Sequence, residues 1–246
     1  MTDDALPRRK FLLGAGLAGT AIAAGISEQA EAQPQPPAPA AAALPAADTE
    51  PFVTLTSAEA AFIVAAVDTL IPADELSPSG SDCGVATFID RQLGSAWGGG
   101  AKVYRSGPFH KGKPEQGYQL ALTPREYFAA GIVAANAWSR KNFGGKDFDR
   151  LAPGDRVAAL KAMDEGKAQF ENFDARAFFG QLHALTMAGF FADPVYGGNR
   201  DMVGWKMIGF PGARYDYRDW VERHNERYPL PPLAITGRPD WNQQKT

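Results

Sequence analysis

The chain is poor in the residues that hold metals and covalent cofactors. It contains one cysteine, Cys83, and three histidines, His110, His183 and His224, among 246 residues. A single thiol excludes an intrachain disulfide framework, a Cys-x-x-Cys-His haem attachment and a protein-ligated iron–sulfur cluster, because each needs more than one cysteine. The histidines stand 73 and 41 residues apart, whereas zinc sites usually draw a close pair of ligands from one turn or helix face; the spacing argues against a metalloenzyme of the usual kind. Charge of one sign is also lacking. The 25 Lys and Arg against 28 Asp and Glu leave a net −3, without the basic surplus that neutralises a phosphate backbone, so nucleic acid is not an expected partner. No G-x-G-x-x-G after a strand, and no phosphate loop, His-Glu-x-x-His or G-x-S-x-G, is present to mark a dinucleotide, nucleotide, zinc or serine-nucleophile site. Runs of β-branched residues alternating at period two are missing as well. With 45% apolar residues the chain can still bury a core. The expected class is all-α, a single helical domain with long Gly/Pro-rich loops.

What is present begins with an address. Pro7-Arg8-Arg9-Lys10-Phe11 sets paired arginines ahead of a 16-residue Gly/Ala-rich apolar run, Phe11 to Ile26, the form of a twin-arginine export signal. The run is shorter than the roughly 20 residues that cross a bilayer core. Ala30-Glu31-Ala32 supplies a small-x-small cleavage pattern, so residues 1–32 are expected to be removed, with a retained anchor helix as the alternative. Arg8, Arg9 and Phe11 are the candidate signal residues, Ala30 and Ala32 the candidate cleavage residues. Residues 33–51 hold six prolines among alanines, a composition that favours extended chain and cannot bury a core, and are read as a disordered linker. The folded domain is expected over 52–246.

Within it, Thr56-x-x-Glu59 and Thr123-Pro124-x-Glu126 are helix start signals. The first opens a helix through Leu70 that Pro72 stops; the second opens one through Trp138 to Gly144. Val85, Phe88, Ile89 and Leu93 share a helical face, and Pro153 to Glu165 reads as a short amphipathic helix. From Asp174 as N-cap, residues up to Phe191 are apolar almost all round, predicting a central helix covered on most sides. Trp97 to Leu122 lacks a period and reads as a long loop.

Candidate chemistry is thin. His183 in the apolar helix reads as a hydrogen-bonded core histidine ahead of a buried base; His110 and His224 read as solvated. Asp74, Glu75 and Asp82, among Ser, Pro and Gly, read as turn-formers, with general acid–base work as the alternative. Cys83 reads as a small buried group at the second helix, or as an intermolecular thiol. The densest segment is Gly189 to Gly212, GFFADPVYGGNRDMVGWKMIGFPG, with five aromatic rings. Rigid rings on a Gly-rich scaffold suit interface anchors, and they equally suit a loop packed onto its own core. Tyr196, Asn199, Trp205 and Phe210 are taken as candidate partner-contact residues on physical grounds.

Gly189-Phe190-Phe191-Ala192-Asp193-Pro194-x-Tyr196-Gly197-Gly198-Asn199, continued by Gly204-Trp205-x-x-Ile208-Gly209-x-Pro211-Gly212, resembles the signature of the gluconate 2-dehydrogenase subunit 3 family. Ile71-Pro72-Ala73-Asp74, Gly84-Val85, Phe88-Ile89-Asp90, Gly117-Tyr118-Gln119 and Leu122-Thr123-Pro124 add weaker matches. The resemblance implies a non-catalytic small, or gamma, subunit. It implies no cofactor in this chain, FAD in a large dehydrogenase subunit that oxidises a sugar, polyol or sugar acid, and haem c in a multihaem cytochrome partner. It further implies that the small subunit accompanies the flavoprotein through the twin-arginine machinery to the periplasm and supports its maturation. The family supplies no catalytic residues. A different class remains open: a stand-alone periplasmic enzyme or sugar-binding protein using the 189–212 loop.

Overall fold

Three of the six described α-helices begin at a side-chain cap. In the computed structural model, residues 51–237 are described apart from 102, 111, 114 and 115, all within one compact unit of residues 43–246. The leader residues Arg8, Arg9, Phe11, Ala30 and Ala32, and the linker up to residue 50, lie outside the described residues. Helix α1 (Ser57–Leu70) starts at Thr56, whose hydroxyl accepts from the Glu59 N–H while the Glu59 carboxylate accepts from the Thr56 N–H at 2.8 Å. This reciprocal cap satisfies two N–H groups that a helix start leaves orphaned. Helix α2 (Val85–Gly94) follows a left-handed Gly84. Helix α3 (Pro124–Asn142) repeats the capping box with Thr123 and Glu126. Helix α4 (Pro153–Asp164) opens on a proline. Helix α5 (Ala175–Phe191) is capped by Asp174, whose Oδ1 accepts from the Ala177 N–H at 2.9 Å. A short helix α6 (Val203–Ile208) completes the set.

The described residues form no extended strand, only two isolated bridges, and none of their helices is long and apolar enough to cross a membrane. The all-α expectation holds, and the described residues of 97–122 contain no α-helix.

Helix α5 packs against α2, α3 and α4, and α1 lies across the same core. The centre is aromatic. Phe178 of α5 sits 6.1 Å from Phe62 of α1 and 5.8 Å from Phe128 of α3, with Phe148 4.8 Å from Phe62. Burying a side chain of this size contributes about 1.5–3 kcal/mol. Tyr127 joins the cluster, and burial pushes its phenol well above the usual tyrosine range.

Helix α5 is covered on most sides, as expected, and leaves one stripe to solvent, Arg176, Gly180, Ala184 and Ala188. One feature departs from the expectation, at His183 on this helix. Small residues hide this stripe because Ala and Gly read as apolar without demanding burial. His183 is half-buried and stacks on Phe179 at 6.0 Å; it is a surface ring, not a core one.

The N-terminal approach to α1 is held by one buried carboxylate. Asp90 of α2 accepts from the N–H groups of Val53, Thr54 and Leu55 at 2.8–2.9 Å and is 1% exposed. Removing that acceptor strands three donors. Asp90→Ala is expected to destabilise the fold by about 2–3 kcal/mol, with Asp90→Asn, which keeps one acceptor oxygen, intermediate. Urea denaturation measures both; a loss under about 0.5 kcal/mol, the range of an ordinary surface change, contradicts the anchoring role.

Candidate functional site

The Gly/aromatic segment wraps the C-terminal end of α5. The last turn of a helix presents carbonyl groups with no intrahelical donor, and side chains from 192–212 supply donors there. Asn199 is fully buried; its Nδ2 donates to the Ala192 carbonyl at 2.8 Å and its Oδ1 accepts from the Gly204 N–H at 2.8 Å. Its left-handed backbone, φ 46°, is one that asparagine tolerates better than most residues. The Trp205 indole N–H donates to the Phe191 carbonyl at 2.8 Å, and the ring is 5% exposed. Two glycines permit the close approach. A Cβ on Gly198 would sit 2.1 Å from the Gly189 carbonyl oxygen, and one on Gly204 2.3 Å from that of Phe190.

Asp193 is a second organiser. Its Oδ1 accepts from the Val195 N–H at 3.0 Å, closing the turn Pro194–Tyr196, while its Oδ2 accepts from the Ile235 N–H at 2.7 Å. The wrap is also docked onto the start of α2, where the Arg200 N–H donates to the Cys83 carbonyl at 2.9 Å and its guanidinium to the Asp82 carbonyl at 3.0 Å.

Of the four residues expected to contact a partner, the structure therefore separates two from two. Asn199 and Trp205 are committed inside the chain; that part of the expectation is corrected, because their polar atoms are used and their surfaces covered. Tyr196 is 51% exposed and Phe210 44% exposed, the latter edge-on to Trp205 at 5.1 Å. The same segment exposes further apolar side chains that sequence reasoning missed: Val195, Met207 and Ile208. Met207 and Ile208 belong to α6, a helix hidden inside a stretch whose glycines suggest irregular chain. The wrap thus carries exposed apolar side chains, alongside the exposed Asp201 and Lys206, on a scaffold fixed by hydrogen bonds from buried groups.

Elsewhere the chemistry stays structural. Asp74 Oδ1 accepts from the Leu76 and Ser77 N–H groups at 2.9 and 3.1 Å, and Asp82 accepts from the Ser79 hydroxyl at 2.8 Å; both shape a turn, as expected. Cys83 is buried, and His110 and His224 are exposed. Among the described residues no group of three His, Cys, Asp or Glu side chains is placed to hold a metal.

The sequence model of the family described as Gluconate 2-dehydrogenase subunit 3 matches residues 57–212. The chain belongs to that family. Comparison with curated proteins and with solved structures returned no match. The matched stretch runs from the first residue of α1 to the last glycine of the wrap, so it contains the helical core and the apolar face together.

The geometry assigns opposite consequences to neighbouring residues. Asn199→Ala leaves the Gly204 N–H and the Ala192 carbonyl without this partner and is expected to cost about 2 kcal/mol or more. Tyr196→Ala, a surface change, is expected to stay within about 0.5 kcal/mol of the parent. Thermal or urea unfolding of the two variants checks the contrast; equal stability losses contradict the wrap.

Proposed function

We propose that the chain is the non-catalytic small subunit of an FAD-dependent dehydrogenase that oxidises a sugar, a polyol or a sugar acid at the periplasmic side of the membrane. Family membership supports the coarser part of this reading, an accessory subunit in a dehydrogenase complex. In the finer reading a large subunit carries FAD and the oxidation chemistry, and a multihaem cytochrome c takes the electrons onward. This chain binds the flavoprotein, provides the export address for both, and supports maturation and stability. The paired arginines Arg8 and Arg9 before an apolar run support the export role.

One observation carries the docking role. The wrap's main polar ties come from the buried Asp193, Asn199 and Trp205, yet it holds Val195, Tyr196, Met207, Ile208 and Phe210 in solvent. Aromatic and methionine side chains are enriched in interface cores, and exposed large apolar side chains held on one tied-down segment fit that use. The alternative, a lone binder stacking a sugar on these rings, draws less support because Trp205, the largest ring, is buried.

Two experiments test the reading. Tyr196→Ala and Ile208→Asp alter side chains that face solvent, so each is expected to weaken binding to the flavoprotein chain by roughly tenfold or more, on the order of 1.4–2 kcal/mol. Circular dichroism and the melting temperature should stay at parental values. Unchanged affinity discards this face as the docking surface. For export, Arg8→Lys combined with Arg9→Lys is expected to retain both this chain and an unsigned partner in the cytoplasm; normal periplasmic dehydrogenase activity in that strain contradicts the escort role.

A further inference from the structure

The long loop between α2 and α3 gathers charge of one sign. Residues 92–114 carry Lys102, Arg105, Lys111 and Lys113, together with His110, and no Asp or Glu, in a chain whose net charge is −3. Lys102 and Lys111 lie outside the described residues, whereas Arg105, His110 and Lys113 are described and exposed. The acid nearest in influence is already committed. Hydrogen bonds from the Thr123 N–H and hydroxyl, at 2.8 and 2.9 Å, and then the charge of Arg105, hold the Glu126 carboxyl below its ordinary range. Glu126 therefore serves the cap of α3 and leaves the positive field of the loop largely uncancelled.

The loop has a closed base. The Arg125 N–H donates to the Gly98 carbonyl at 3.1 Å, joining its two ends, and the Tyr118 ring stacks on the buried Tyr127 at 4.1 Å. Nearer the tip, the Lys113 N–H donates to Gln116 Oε1 at 2.7 Å and the Gln119 side-chain amide to the Gln116 carbonyl at 3.1 Å. Apolar groups stand among the cations: Tyr104 is 69% exposed and Leu120 43% exposed, with Phe109 half-buried. Connections of this length without a helix of their own are commonly functional.

We infer that this loop is a contact surface for an anionic phospholipid bilayer, with Arg105 and Lys113 meeting the phosphate headgroups and Tyr104 and Leu120 entering the headgroup region. Two observations on different side chains point there. Lys and Arg clusters are drawn to a negatively charged lipid surface. Tyrosine, with an apolar ring and a polar hydroxyl, is favoured at the membrane–water boundary. An acidic protein surface matches the charge alone, and it pairs with cations at fixed positions. Cations on long flexible stems, spread along a loop and interleaved with apolar groups, match a surface whose charges move laterally. The contact is peripheral, since no helix among the described residues is long and apolar enough to cross a membrane. The inference does not depend on the docking role proposed for the wrap, which uses a different segment.

Hydroxyl-radical footprinting of the full chain reads the loop directly, with vesicles of phosphatidylcholine alone and of equal parts phosphatidylcholine and phosphatidylglycerol. The expected result is a several-fold fall in labelling at Tyr104 and Leu120 on the anionic vesicles, reversed by high salt, which screens exposed charges. Unchanged labelling on the anionic vesicles, or equal protection on the neutral ones, overturns the lipid contact. Protection of Tyr104 only by the flavin-bearing subunit overturns it too, in favour of an acidic protein surface. As a second measure, Arg105→Gln with Lys113→Gln, both at exposed positions, should lower partition onto the anionic vesicles roughly tenfold with an unaltered circular dichroism spectrum. The leader cations Arg8, Arg9 and Lys10 are common to both chains, so the difference between them reports the loop; an unchanged partition overturns the contact.

Discussion

The end of helix α5 leaves carbonyl oxygens that no helical N–H can reach, and the Gly/aromatic segment that follows is organised around them. Asn199 and Trp205 come back across 7 and 14 residues to donate to the Ala192 and Phe191 carbonyls. Gly198 and Gly204 allow the returning backbone to touch the Gly189 and Phe190 carbonyls, where any side chain would collide. Once those inward groups are fixed, little freedom remains for the outward ones. Val195, Tyr196, Met207, Ile208 and Phe210 stand in solvent because the backbone that carries them is fastened from beneath. A rigid exposed apolar face loses little entropy on association, which is the economy that preorganised interfaces use.

How much of this was legible in the sequence depended on the range of the interaction. The helices that begin at Thr56, Thr123, Pro153 and Asp174 announce themselves because a cap and its partner lie within three residues of one another, or because a proline sits at the first helical position. Asp90 gives no such sign: its partners are 35 to 37 residues away, and a carboxylate within an apolar helical pattern reads only as an interruption. The same holds for Asp193, whose second oxygen meets an N–H 42 residues on. The sequence pattern picked out the aromatic and glycine content of 189–212 but could not tell inward rings from outward ones, since ring count carries no direction. Trp205 and Phe210 are five residues apart and in contact, yet one is core and the other surface. Helix α6 was missed for a related reason, its Gly204 answering a packing demand from α5 while the composition suggested irregular chain.

The functional argument follows the same division. The family-matched residues 57–212 contain the six helices and the wrap that closes the end of α5. Residues 213–237, beyond that match, are tied back by the Gly212–Leu233 bridge and by Asp193. Asp193, Asn199, Arg200 and Trp205 of the wrap, and Asp74 and Asp82 of the turn, each make a structural hydrogen bond.

The most direct test of the account is purification of the tagged full-length chain from its native cells under mild conditions, with an absorption spectrum and mass spectrometry of the product. The account predicts one larger chain in about equal amount, with flavin bands near roughly 370 and 450 nm, since the redox chemistry belongs to a bound cofactor of the partner. A colourless chain that elutes alone, folded and soluble, contradicts it.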